Sequence, residues 1–63
     1  MRLTEFWRRM ETRFGHSYAH SVAADYRLPT LGSTIDDALS RGVDVKEIWH
    51  AVCQEFDVPG QLR

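Results

Sequence analysis

Residues 44–56, DVKEIWHAVCQEF, place the tightest limit on what this chain can fold into. Val45, Ile48, Trp49, Val52, Cys53 and Phe56 recur at i, i+3, i+4, i+7, i+8 and i+11, the spacing of one buried helical face. Asp44 stands before them as a good N-cap, and Glu47 three residues on completes a capping-box pattern. A helix with so wide an apolar stripe needs an opposing surface, which the rest of the chain has to supply.

Three other segments carry helical signals. Over residues 4–14, Thr4 is the expected N-cap, Glu5 suits the first turn, and Gly15 is the stop. Leu3, Phe6, Trp7, Met10 and Phe14 form the stripe of this helix, leaving Arg8, Arg9 and Arg13 off it. Glu5 stands four residues before Arg9, an orientation that supports an exposed helix by roughly 0.2 to 0.5 kcal/mol. Over residues 17–27, Ser17 is the expected cap, Tyr18, Val22 and Tyr26 repeat every four residues, and Ala19, Ala23 and Ala24 permit close helix approach. Pro29 disfavours helical geometry at Leu28, so the helix ends near there and residues 28–33 read as a turn-rich connector with Leu28 and Leu31 as apolar plugs. Thr34 and Asp37 cap a short third helix over residues 35–41, with Ile35, Ala38 and Leu39 inward and Gly42 ending it. Residues 57–63 follow the last helix, which spans 45–56; Pro59 and Gly60 stop it and leave an expected mobile tail.

No segment alternates with period two. The expected fold is all-α, a compact bundle of three to four short helices forming one domain over residues 1–63, with the first stripe packed mainly on the last and Phe6, Trp7 and Trp49 in the core. At 63 residues, folding hides only about 60% of the surface an unfolded chain exposes. Three Phe, two Trp and two Tyr help to offset that, and pairing with a second copy is the other common remedy.

Charge narrows the function classes. The net charge of −1 lacks the positive excess of many nucleic-acid binders. The halves differ, with five arginines against three acids in residues 1–27 and three basic residues against six acids thereafter. A single cysteine forms no internal disulfide, and neither a signal-peptide apolar run nor a membrane-length span is present, so a complete small cytoplasmic protein is expected.

Chemistry-bearing residues are few. His16 and His20 are four apart and His50 and Cys53 three apart, all metal-ligand types, but nothing sets the pairs opposite each other and Cys53 fits an apolar stripe's edge. No metal site and no cofactor are expected. Cys53, His50 and Asp57 lie on one flank of one helix, where a thiol–imidazole–carboxylate relay does not assemble around a substrate, and no Gly-rich phosphate loop exists, so no catalytic residue and no enzyme activity are expected. Ala38, Gly42 and Ile48, with Val43 after the glycine, resemble a helix-turn-helix spacing. Asp37 and Arg41 occupy positions where that pattern takes apolar residues, and Asp44 and Glu47 bring the wrong sign to phosphate, leaving Lys46 and His50 as its basic contacts.

The opening MRLTEFW, the pairs Phe14-Gly15 and Leu31-Gly32, Thr34 followed by Ala38-Leu39 and Gly42, then Trp49, Ala51-Val52-Cys53 and Val58-Pro59 together resemble a family of small actinobacterial proteins of unknown function. The likeness spans nearly the whole chain. It implies a helical protein of about this length, encoded near the general recombinase and its regulatory protein, and it brings no activity, cofactor or functional residue. The expected role is a non-enzymatic cytoplasmic interaction or adaptor domain binding another protein or a second copy, with Arg8, Arg9, Arg13, Lys46 and His50 as candidate partner contacts and no membrane association. The alternative is a helix-turn-helix-like, nucleic-acid-associated protein linked to recombination or repair, without sequence-specific reading.

Overall fold

The computed structural model describes residues 1–63, and its chain turns first on one glycine. Helix α1 (Leu3–Phe14) and helix α2 (His16–Asp25) are separated by Gly15 alone. With φ 89° and ψ 155°, Gly15 occupies a region essentially closed to other residues. Its N–H donates to the Glu11 carbonyl at 2.8 Å, ending α1, and its own carbonyl accepts from Ala19 N–H at 2.9 Å, starting α2. The expected side-chain caps are therefore not used. Arg2 takes the N-cap position of α1 in extended geometry, placing Thr4 inside the helix. Because Gly15 turns the chain so sharply, α2 begins at His16 and Ser17 falls within its first turn.

Helix α2 ends at Asp25, two residues earlier than its pattern predicts. Pro29 holds the preceding backbone extended, and Arg27–Leu28 (β1) pairs antiparallel with Ser33–Thr34 (β2), Arg27 opposite Thr34 and Leu28 opposite Ser33. Two-residue strands have no room to display alternation, so the sequence reads only as a connector. Leu28 is fully buried as a plug, while Leu31 is half-buried.

Helix α3 (Ile35–Ser40) starts as its residues dictate, with Thr34 Oγ accepting from Asp37 N–H at 3.1 Å. It closes in a Schellman motif: Val43 N–H reaches the Ala38 carbonyl at 3.0 Å, Gly42 N–H reaches that of Leu39 at 3.1 Å, and Gly42 supplies the positive φ of 80°. Asp44 then caps helix α4 (Val45–Glu55), its carboxylate accepting from Lys46 N–H at 3.2 Å. The bond goes to the second residue of the helix and Glu47 returns none, so Asp44 acts as a simple N-cap and the expected capping box does not form.

Phe6 and Met10 of α1 meet Ile48, Trp49 and Val52 of α4 in the core, together with Val22 of α2 and Ile35 of α3. Phe6 stands edge-on to Trp49, rings 6.0 Å apart at 89°. The nearer backbone neighbour of α1 is nevertheless α2, not α4. A one-residue joint holds the two helices together, and the buried Ala19 and Ala23 let them approach. Large aromatics bridge the wider gap to α4.

The last segment is not a loose tail. Val58 and Leu62 are buried, and Gly60–Leu62 makes a single 3-10 turn. The Leu62 carbonyl accepts both from the buried Trp49 indole N–H at 3.1 Å and from the Arg9 guanidinium at 3.1 Å. A buried indole needs an acceptor, and this carbonyl is the one it finds. Arg13 Nε also ties the segment down, donating to the Asp57 carbonyl at 2.7 Å.

Gly15→Ala should cost about 1–3 kcal/mol in urea unfolding, all of it backbone strain, since a Cβ there meets nothing within 4 Å. Gly60→Ala, at an ordinary φ and with equally open surroundings, should change stability by less than about 0.5 kcal/mol. Leu62→Ala should cost about 2 kcal/mol and shift Trp49 emission to longer wavelength in the folded state; an unchanged spectrum and stability would remove the terminal segment from the core.

Candidate functional site

Two surfaces hold the side chains able to do more than pack, and they lie on opposite flanks of α2, as its 100° per residue requires. On one flank, the Gly15 joint brings the end of α1 against the first two turns of α2. Glu11 Oε2 lies 3.2 Å from His16 Nδ1 and 3.3 Å from His20 Nε2. The two imidazoles hold the Glu11 carboxyl below its ordinary range, with the hydrogen bond to His20 the larger cause. The His20 ring stacks on Trp7, centroids 4.2 Å apart and planes within 11°. Glu11 was not a candidate in the sequence, where it reads as one more exposed helix charge; its spacing of five and nine residues to the histidines converges only through a corner at Gly15.

On the other flank an aromatic train joins α1 and α2 to the residues that follow α2 and α4. Phe14 contacts Tyr18 at 5.9 Å and Phe56 at 5.0 Å, and Phe56 contacts Tyr26 at 5.0 Å. Tyr18 and Tyr26, expected in one inward stripe with Val22, instead remain 61% and 39% exposed while Val22 is buried. Ala19, Val22 and Ala23 take the buried positions of α2, and Tyr26 lies past its end as an extended C-cap. Tyr18, Ser21, Val22, Asp25 and Tyr26 line an open groove of about 200 Å³. The Tyr26 hydroxyl donates to the Glu55 carboxylate, which raises the phenol's pKa above its ordinary value.

The basic residues singled out in the sequence have other engagements. Arg8 makes a two-pronged contact with Glu5, at 2.9 and 2.5 Å, and Arg9 Nε reaches the same carboxylate at 2.8 Å. These hydrogen bonds, Arg8 first, lower the Glu5 pKa to about 2. Arg9 and Arg13 also bind the carbonyls of the terminal segment, and the Arg13 guanidinium lies 4.7 Å over the Phe14 ring. Lys46 and His50 stand exposed on α4. His50 shares a groove of about 340 Å³ with Trp49, Cys53, Gln54 and Arg63, apart from the His16–His20 pair, so the two metal-ligand pairs of the sequence do not meet. Burial pushes the Cys53 thiol up despite nearby Arg63 and Arg9, which keeps it protonated at neutral pH.

The helix-turn-helix spacing takes a definite form as well: Asp37 and Arg41 pair with each other at 3.0 Å on the surface, and Arg41 reaches Ser33 Oγ at 2.9 Å. No helix is long and apolar enough to cross a membrane. A family model described as "Protein of unknown function (DUF3046)" matches residues 1–61. No curated protein and no solved structure matches the chain.

Glu5 gives the fold a defined acid sensitivity. Its folded pKa of about 2 lies below the ordinary 4.5, so its contribution is complete above pH 4.5 and is lost as pH falls toward 2. The stability difference between the native chain and Glu5→Gln should therefore be constant near neutrality and close across that window, read as the gap in melting temperature; a gap that persists at pH 2 would remove Glu5 as its source.

Proposed function

We propose that this chain, which belongs to the DUF3046 family, is a non-enzymatic interaction domain of the cytoplasm that docks a protein partner on the aromatic groove beside α2. The observation that carries this reading is Tyr18, 61% exposed at the end of a continuous aromatic train and next to a second exposed tyrosine. Exposed aromatics that extend a packed core offer large contact area with little side-chain entropy to lose, which is why tyrosine is enriched at the centres of interfaces. Asp25 in the groove and Glu55 on Tyr26 set the charge of the rim. The partner is accordingly a protein surface offering an apolar side chain with a cation beside it. The resemblance noted in the sequence points to recombination or repair proteins as the class to search first.

A second reading, a nucleic-acid-associated domain, draws on the short helix α3, the Gly42 turn and the longer helix α4. It is the weaker of the two because Asp44 and Glu47 lie at the start of the would-be reading helix, and Arg9 and Arg13 are committed to internal carbonyls.

Recovery of a tagged chain's partners, with and without nuclease and alongside Tyr18→Ser, distinguishes the readings. A single protein retained after nuclease and lost with Tyr18→Ser supports the interaction domain. Enrichment that disappears with nuclease and survives Tyr18→Ser supports the nucleic-acid reading. Sedimentation of the purified chain reports separately whether the partner is a second copy, in which case Tyr18→Ser should convert dimer to monomer.

A further inference from the structure

The α1–α2 corner carries a ligand set that the aromatic groove does not use. We infer that Glu11, His16 and His20 form a surface site for one divalent transition-metal ion of the nickel, copper and zinc group. The ligand atoms Glu11 Oε2, His16 Nδ1 and His20 Nε2 all lie within 4.8 Å of one another, with the two carboxylate-to-imidazole separations at 3.2 and 3.3 Å. Bonds of about 2.0–2.1 Å in tetrahedral geometry separate neighbouring ligands by about 3.3–3.4 Å, which the two carboxylate-to-imidazole separations match. Two imidazoles with one carboxylate favour nickel, copper and zinc over magnesium or calcium, which take oxygen ligands.

Two further features make the arrangement more than a chance meeting of surface charges. Gly15 fixes the corner by a backbone geometry that only glycine adopts, so the positions that carry the carboxylate on α1 and the imidazoles on α2 are set by main chain. Trp7 holds the His20 ring by stacking at 4.2 Å, with its Nε2 directed at Glu11. Restraint of a ligand's ring by its surroundings is what outer-shell contacts supply in metal sites. His16 is 80% and His20 52% exposed, which leaves the remaining coordination positions to water. An ion there joins α1 to α2 across the joint and stabilises the fold by mass action.

The test uses the untagged full chain. Calorimetric titration with Zn²⁺ should show one saturable site, and Zn²⁺ should raise the melting temperature while Mg²⁺ leaves it unchanged. Ni²⁺ should quench fluorescence from Trp7, which stacks on a ligand. Glu11→Gln and His16→Ala, both at exposed or half-exposed positions and so compatible with folding, should each weaken Zn²⁺ binding about tenfold or more, whereas His50→Ala combined with Cys53→Ala should leave it intact. Absence of saturable binding would overturn the site, as would binding that survives His16→Ala with His20→Ala or that depends on His50 and Cys53.

Discussion

Everything in this molecule is arranged from the angle that Gly15 imposes between its first two helices. A joint of one residue leaves those helices no freedom to drift apart, and their closeness dictates which side chains can lie between them. Ala19, Val22 and Ala23 are the residues α2 buries, and its histidines and Tyr18 lie on its exposed flanks. The histidines fall on one side against Glu11 and Trp7, the tyrosines on the other against Phe14 and Phe56. Both candidate surfaces are thus by-products of a single backbone torsion. Substituting the tyrosines or histidines alters what those surfaces bind, whereas substituting the glycine alters where they are.

The helices were legible because their signals are local. The stripe of α4, the Thr34 cap of α3 and the glycines after α1 and α3 each lie within a few residues of the structure they specify. What escaped notice depends on residues far apart. Glu11 meets His16 and His20 through a corner whose sharpness no period reveals, and Tyr18 shares a spacing with Val22 yet lies outside the core. The two-residue strands are too short to alternate. The docking of residues 58–62 draws on two isolated apolar side chains, on the need of one indole N–H for an acceptor and on arginines that bond main-chain carbonyls, none of which leaves a pattern.

Charge is used in this chain chiefly to fasten it. The arginines of α1, which in sequence suggest a basic face, converge on Glu5 and on main-chain carbonyls of the last segment. A guanidinium has five donors in a planar fork, and Arg9 divides them between a carboxylate and a carbonyl, a task for which a lysine has the wrong shape. The positive excess of residues 1–27 is thereby partly withdrawn from any external partner. Such polar fastening suits a domain too small to rely on apolar burial alone.

The Leu62 carbonyl has a consequence for how the chain reaches this state. Its partner Arg9 lies 53 residues earlier, so the fastening of the first helix depends on a group far from it in sequence. The same carbonyl is the acceptor of Trp49, so one backbone group closes the core that α1 and α4 share. Closing so long a loop carries an entropic cost that only the assembled core repays.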